Sequence, residues 1–308
     1  LTALTLSGLV FKEYIDNYNI GIKELEKLVK YYFDADGFPL SRNPNDLIFF
    51  SKYLLLCKEC IRDAQQYIPD FLDTIIDKNL VCIKNLLTPK NSIPLFNGAY
   101  EDDLEEFNKF INALNYKSKD KKSIIGGIHC LNVKNSIIFF DAGEPPEKSF
   151  SRCYQSGPLS FEYYMDGEKI ITNCGFGSNI SPKAKLLSRL TSAQSTLTIN
   201  DTSVTRFERN KIVNKIFGNS IKNTFKVSNI NFVESDKNLK LTASHNGYEQ
   251  NFGCIHRREI AINKETKNLV GLDEIIKKKN GKPITYNVRF HLYPGLTAVK
   301  TMSGNSVL

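Results

Sequence analysis

The stretch "LSFEYYMDGEKIITNCG" (159–175) determines the fold class of the second half of the chain. It contains two runs of alternating apolar and polar side chains, with Asp166 and Gly167 between them. Alternation with a period of two is typical of β-strands, and an Asp-Gly pair is typical of the tight turn of a hairpin. The stretch therefore predicts two antiparallel strands joined by a short turn.

Further strand-like segments lie on both sides of this hairpin. They are "SIIGGIHCLNV" (123–133), "NSIIFFDAG" (135–143), "STLTIND" (195–201), "TFKVSNINFVES" (224–235), "LKLTASHNGYE" (239–249), "HRREIAIN" (256–263), "NLVGLDEIIK" (268–277) and "TYNVRFHLYPG" (285–295). Asn, Gly, Asp and Lys turns separate these segments, and we identify no helical pattern between them. Many strands without intervening helices predict an antiparallel β-sandwich, which we place at residues 124–308.

The first third of the chain has the periodicity of helices. In the segment 20–33, apolar side chains recur at spacings of three and four, which places them on one helical face. The segment 43–68 begins with Asn43 as N-cap and Pro44 at the first helical position. Two more helical segments follow at 68–87 and 102–114. Short loops between them predict helical hairpins over residues 1–115, and the polar stretch "YKSKDKKS" (116–123) is the predicted linker.

Length and composition indicate a globular protein of two domains. The chain has 308 residues, of which 41% are hydrophobic and 24% are charged. No apolar run reaches the roughly 18 residues that a membrane-spanning helix needs, so no transmembrane segment is expected. No signal peptide is recognisable at the N-terminus. Because the sequence starts within apolar sequence and ends on the strand-like "GNSVL" (304–308), we expect a fragment cut at both ends.

Cysteine usage and charge exclude some classes and leave others open. The seven cysteines are odd in number and irregularly spaced, which favours small buried apolar residues over a disulfide framework. The formal net charge of +8 favours an anionic partner. Acidic polysaccharide and nucleic acid would both suit this charge, although no nucleic-acid-binding motif is present. A lysine-rich composition that serves solubility is the remaining explanation.

Several phrases, in order and spacing, resemble the heparinase II/III family of polysaccharide lyases, and most of all its alphaproteobacterial branch. They are "DGFPLSRNP" (36–44), "LFNGAY" (95–100), "LSFEYYMDGEKIITNCG" (159–175), "AQSTLTINDTS" (193–203), "ASHNGY" (243–248), "HRREI" (256–260) and "RFHLYPG" (289–295). The resemblance implies an α+β multidomain protein, in which an N-terminal incomplete (α/α) toroid of helical hairpins precedes the C-terminal antiparallel β-sandwich.

The resemblance also implies an activity, which is cleavage of a uronate-containing acidic glycan by β-elimination. This reaction requires a group that neutralises the uronate carboxylate, a base that removes the C5 proton, and an acid that protonates the leaving oxygen. No cofactor is required for it. The family implies a location in the periplasm or cell envelope, with the cytoplasm as the alternative.

The same resemblance suggests Gln194, Asn43 and Tyr100 as catalytic residues. Gln194 stands where the family usually has histidine, and a carboxamide cannot accept a proton near neutral pH. Asn43 is the candidate that would neutralise the carboxylate, although its role as N-cap is the favoured explanation of this residue. Tyr100 is the candidate acid. The substitution at Gln194 favours an alternative function, a non-catalytic glycan-binding or envelope-structural protein on the same scaffold.

Three residues are candidates for binding the substrate, namely Arg42, Asn97 and Arg257. Arg42 could pair with a carboxylate or sulfate through two parallel hydrogen bonds, or it could form a salt bridge within the protein. Asn97 could contact the sugar or serve the turn at Gly98. Arg257 could bind an anionic sugar or simply lie on one face of its strand.

Some relatives hold a structural zinc ion in the β-sandwich, and this implies a possible zinc site here. His245 and Asp201 are the candidate ligands, because imidazole and carboxylate groups suit zinc. The alternative is that the sandwich holds no metal and that His256 or His291 is an ordinary strand histidine whose hydrogen bonds are satisfied.

Overall fold

The computed structural model describes residues 1–116, 120–277 and 283–303. Residues 117–119 of the predicted linker and the C-terminal "GNSVL" segment (304–308) lie outside the described residues.

Five helices form the N-terminal part of the described chain. They are α1 (Thr2–Val10), α2 (Ile15–Tyr32), α3 (Pro44–Asp63), α4 (Asp70–Leu86) and α5 (Glu105–Ala113). Each of the four predicted helical segments overlaps one of α2 to α5, although α2 begins five residues before its predicted segment, and α1 was not predicted. The start of α3 is as expected from the sequence, because the Asn43 side chain accepts a hydrogen bond from the backbone N–H of Asn45 at 3.0 Å.

Antiparallel strands dominate the rest of the described chain. They are β1 (Ile124–Ile125), β2 (Ile128–Val133), β3 (Ser136–Asp141), β4 (Phe161–Met165), β5 (Glu168–Thr172), β6 (Leu197–Ile199), β7 (Val227–Glu234), β8 (Asn238–His245), β9 (Cys254–Asn263), β10 (Leu269–Lys277), β11 (Tyr286–Val288) and β12 (His291–Leu292). They form a six-stranded sheet (β1-β2-β3-β4-β5-β12), a four-stranded sheet (β10-β9-β8-β7) and a β11-β6 pair. The predicted hairpin is confirmed, since β4 pairs with β5 and Asp166 and Gly167 both have positive φ in its turn.

The expectation that no helix interrupts the strands is wrong. Three short helices lie among them, namely α6 (Pro182–Leu187), α7 (Lys211–Phe217) and α8 (Glu249–Phe252). The first two have N-cap signals that are visible in the sequence. Ser181 accepts a hydrogen bond from the backbone of Ala184, and Asn210 accepts two from the first turn of α7.

The six-stranded sheet is buried on both faces. On one face, Phe139 and Tyr164 belong to the same hydrophobic cluster as the helices. On the other face, Phe140 packs in a cluster with Leu241 and Ile260 of the four-stranded sheet. Successive side chains of β3 therefore point to opposite faces of the sheet, so that one face packs against the helices and the other packs against the four-stranded sheet. This arrangement fixes the loops at the border between the helices and the sheets.

Candidate functional site

Loops from both parts of the chain meet where the N-terminus of α3 approaches the six-stranded sheet. We call this region the junction. It is formed by residues 41–46, 95–101, 151–157, 172–177 and 188–195, which are linked by the hydrogen bonds described below. These segments contain the three predicted catalytic residues, which are Asn43, Tyr100 and Gln194. They also contain two of the predicted substrate-binding residues, Arg42 and Asn97.

Arg42 ties the loop before α3 to the six-stranded sheet. Its guanidinium forms an ion pair with the buried carboxylate of Asp141 at 2.5 Å and donates to the backbone carbonyls of Gly126 and Glu144. The other carboxylate oxygen of Asp141 accepts from the Asn97 side chain at 3.2 Å. Two of the three predicted substrate-binding residues thus contact one buried carboxylate of the protein. Their proposed contacts with a glycan stay predictions.

Carboxamides crowd the N-terminus of α3. Besides capping the helix, Asn43 donates from Nδ2 to Asp46 at 3.1 Å. Asn45, in the first turn, accepts from the backbone N–H of Tyr100 at 2.7 Å, and no hydrogen bond from its Nδ2 is found among the described residues. Tyr100 itself is 39% exposed. Asn45 therefore holds the backbone of an accessible tyrosine and keeps a donor available beside it.

Asp46 is held by further donors in the same place. The hydroxyls of Ser41 and Tyr32 both donate to its Oδ2, at 2.6 and 2.8 Å. Burial, followed by the charge of Asp46, raises the pKa of Tyr32, so this phenol stays protonated at neutral pH and serves as a donor.

Gln155 connects three segments of the junction and was not singled out from the sequence. Its Oε1 accepts from the backbone N–H of Gly98 at 2.9 Å, and its Nε2 donates to the carbonyls of Cys174 and Ser188, each at 2.8 Å. The side chain is 1% exposed. Asn45 and Gln155 both lie outside the phrases that carry the family resemblance, so no motif identified them.

Gln194 is buried at the start of the segment that leads into β6. It is 1% exposed, and its Nε2 donates to the carbonyl of Ser188 at 2.8 Å. The next residue, Ser195, is held by Asn173 Oδ1 and by the carbonyl of Thr172. The amide of Gln194 thus shares an acceptor with Gln155, and its side chain fixes the loop instead of reaching the exposed surface.

The remaining predicted residues lie away from the junction. Arg257 is on the outward face of β9, where its guanidinium pairs with Glu274 at 2.5 Å. Asp201 is in the turn after β6, where Arg289 donates to its carboxylate at 2.9 Å. His245 is fully buried at the end of β8.

A chain of hydrogen bonds uses both ring nitrogens of His245. Its Nδ1 accepts from the backbone N–H of Gly247 and its Nε2 lies 3.1 Å from Nδ1 of His256, whose Nε2 lies 2.7 Å from Asp273. Burial, with the charges of His256 and Arg258, holds the pKa of His245 well below its ordinary value. The ring is therefore neutral, and one tautomer of each histidine satisfies the whole chain.

These contacts do not fit a zinc site built from His245 and Asp201. The Asp201 carboxylate is paired elsewhere, and the histidine nitrogens already have partners within the protein. In the described ranges, no group of three or more His, Cys, Asp or Glu side chains is arranged to hold a metal ion.

The same ranges contain no helix long and apolar enough to cross a membrane.

Two solved structures with a similar fold are a heparan sulfate lyase and a heparinase III. The heparan sulfate lyase HepC from Pedobacter heparinus superposes with a TM-score of 0.73 at 16% identity, over 99% of this chain and 49% of its own. A crystal structure of heparinase III gives a TM-score of 0.73 at 16% identity, over 99% and 50% of the two chains. The present chain thus spans about half the length of these proteins. No curated protein matches the sequence.

The sequence itself matches a family model described as heparinase II/III-like, C-terminal, over residues 121–308. This match covers the six-stranded and four-stranded sheets and the loops that they bring to the junction. Because it extends over more than half of the 308 residues, the chain belongs to the heparinase II/III-like family.

Proposed function

We propose that the protein is a polysaccharide lyase that cleaves a uronate-containing acidic glycan by β-elimination at the junction. The observation that carries this proposal is the pairing of Tyr100 with Asn45 within a fold of this family. Tyr100 is 39% exposed there, and its backbone N–H is held by a carboxamide whose own Nδ2 has no hydrogen-bond partner among the described residues.

The chemistry is divided between these two residues. Asn45 Nδ2 donates to the uronate carboxylate, which stabilises the carbanion character that develops at C5. The Tyr100 oxygen removes the C5 proton and returns a proton to the departing glycosidic oxygen. Asn43, Gln155 and Gln194 hold the loops in position. The net reaction breaks the C4–O bond, forms the C4–C5 double bond, and needs no cofactor.

A second function is favoured by the contacts of Gln194. Its carboxamide is buried and bonded to a backbone carbonyl, and it cannot take a proton. A protein with this junction could bind the acidic glycan without cleaving it, as a binding or envelope-structural protein.

The experiment that separates the two functions measures binding and cleavage together. The protein is incubated with heparan sulfate and with other uronate polysaccharides while the ultraviolet absorbance of the unsaturated product is followed. The lyase proposal predicts product with at least one substrate, loss of product formation in Tyr100→Phe, and retained binding by that variant. Binding without product on every substrate contradicts the lyase proposal and supports the second function.

The finer architecture and the location are part of the same proposal. The helical part (1–115) would contribute to an incomplete (α/α) toroid, and residues 124–308 would form a β-sandwich, with the linker at 116–123 between them. The shared hydrophobic cluster of the two larger sheets supports the sandwich. Residence in the periplasm or cell envelope is proposed from the family resemblance alone.

A further inference from the structure

A large depression lies beside the segment that carries Gln194. Its volume is about 980 Å³, within the range of ligand-binding clefts. We call it the basic groove, and the residues that matter to its chemistry are Leu186, Leu190, Arg206, Phe207, Arg209 and Lys222. Leu190 and Ser192 in its wall belong to residues 188–195 of the junction, so the groove and the junction share one stretch of backbone.

The groove presents positive charge that the protein does not neutralise. No hydrogen bond or ion pair to the Arg209 guanidinium is found in the described part of the chain. The Arg206 guanidinium donates to the neutral carboxamide of Asn251 at 3.0 Å and has no carboxylate partner among the same residues. Lys222 is the exception, because its ammonium lies 3.3 Å from Glu208.

The two carboxylates of the groove are already occupied. Glu208 accepts from the backbone N–H groups of Arg209 and Asn210, in addition to its contact with Lys222. Asp201 pairs with Arg289. An anion in the groove would therefore meet two arginines without carboxylate partners and little uncompensated negative charge.

A buried cation lies directly beneath the groove. Arg189 is 0% exposed, and its guanidinium stacks on the ring of Phe207 at 3.9 Å. Its donors go to the backbone carbonyls of Tyr154, Ser151 and Asn219, and no carboxylate pairs with it among the described residues. Burial lowers the pKa of Arg189 to about 10, which still leaves it charged at neutral pH. A buried charge in a medium of low dielectric constant adds to the positive potential above it.

The lining suits a charged sugar better than other anions. Leucine side chains and the Phe207 ring offer apolar surface to the C–H faces of a pyranose. Arginine guanidinium groups match the geometry of carboxylate and sulfate groups. The side-chain oxygen of Asn214, a residue that also lines the groove, is buried and has no hydrogen-bond partner in the described part of the chain.

We propose that the basic groove is a second binding site for the acidic glycan, in which Arg206 and Arg209 hold the carboxylate or sulfate groups of sugar units outside the cleaved linkage. This inference rests on the proposed function for the identity of the ligand. The groove would contribute to the affinity for the glycan but would not take part in the chemical step.

The test compares charge reversal in the groove with the same charge change elsewhere. The groove variant is Arg206→Glu/Arg209→Glu. The control is Lys23→Glu/Lys237→Glu, which reverses two exposed lysines on α2 and on the β7–β8 turn. Affinity for heparan sulfate, for a polyuronate without sulfate, and for uncharged dextran is measured by calorimetry at two salt concentrations, and product formation is followed in parallel. If the groove variant unfolds, Arg206→Gln/Arg209→Gln replaces it.

The inference predicts that the groove variant binds at least one of the two acidic glycans about tenfold or more weakly than the control, with a reduced salt dependence. In a protein that cleaves the glycan, KM should rise with little change in kcat. Equal affinities of the two variants would overturn the groove site even if the lyase activity is present. Failure of the wild-type protein to bind either glycan would overturn both proposals. If the wild-type protein makes no product but the groove variant binds more weakly than the control, the groove site is supported and the lyase proposal is contradicted.

Discussion

Gln155 and Gln194 donate to the same carbonyl, that of Ser188, and this leads to a quantitative prediction about the junction. Replacing either side chain by methionine removes its hydrogen bonds with little change in volume. In Gln194→Met the Ser188 carbonyl keeps its bond from Gln155. Only one hydrogen bond is lost, which should lower the free energy of unfolding by about 0.5–1.5 kcal/mol.

Gln155→Met should cost more, because Gln155 is the acceptor for the buried N–H of Gly98 and a donor to Cys174. A buried polar group left without a partner costs about 1–3 kcal/mol. The Gly98 group and the more accessible Cys174 carbonyl together give an expected loss of about 2–4 kcal/mol. In the double variant, the Ser188 carbonyl loses both donors, so the total should exceed the sum of the single losses by about 1–3 kcal/mol.

Urea denaturation followed by circular dichroism and by tyrosine fluorescence measures these four free energies. Gln250→Met is the matched control, because Gln250 is exposed and its substitution should change stability by less than about 0.5 kcal/mol. Additive losses from the single variants, or a larger loss from Gln194→Met than from Gln155→Met, would refute the shared-acceptor geometry.

Three further perturbations test other buried polar groups. Asp141→Ala leaves the Arg42 guanidinium buried without its carboxylate and should lower the unfolding free energy in urea by about 3–5 kcal/mol, whereas a loss below about 1 kcal/mol would contradict the pairing. Lys169→Met should cost a similar amount by leaving the charge of the fully buried Glu162 without a cation, and adding Glu162→Gln, which keeps an acceptor for Thr172 and Asn173, should restore part of it. His245 has a lowered pKa in the folded protein, so below about pH 6.5 the unfolded chain binds a proton that the folded chain does not, and stability falls as pH falls. His245→Gln should therefore reduce the slope of unfolding free energy against pH by up to about 1.4 kcal/mol per pH unit below pH 6.5, and an unchanged slope would contradict a neutral His245.

The elements that the sequence predicts correctly are those with a local signal. The hairpin at Asp166-Gly167 and the start of α3 at Asn43 depend on neighbouring residues, and both are found as expected. The short helices α6 and α7 were missed because the strands around them dominated the periodicity, although Ser181 and Asn210 carry cap signals. The order of the two halves also follows from local periodicity, whereas the expected activity and site residues came from the family resemblance.

The contacts of the candidate site could not be predicted in the same way, because most acceptors there are backbone carbonyls far away in sequence. The Arg42 guanidinium bonds to Gly126 and Glu144, and Gln155 bonds to Ser188, and no pattern of side chains identifies such partners. In the sequence, an arginine or a glutamine within a motif is the same letter whether its side chain binds a ligand or a backbone carbonyl of the protein. For this reason the sequence could nominate Arg42 and Gln194 but not determine what they touch.

The choice of carboxamides at the junction has a consequence for how the site responds to pH. The side chains that hold its loops, among them Asn43, Gln155 and Gln194, do not ionise near neutral pH, so they keep the same hydrogen bonds across that range. The histidines in the four-stranded sheet do ionise on unfolding, so acid weakens the sheet region before it alters the junction contacts. If Tyr100 carries the proton transfer, the pH profile of kcat should not depend on any histidine of the enzyme–substrate complex. A kcat profile with a histidine-like pKa that disappears in His291→Gln would place proton transfer on the β12 side of the junction instead, where the His291 ring lies 3.1 Å from the carbonyl of Ser192.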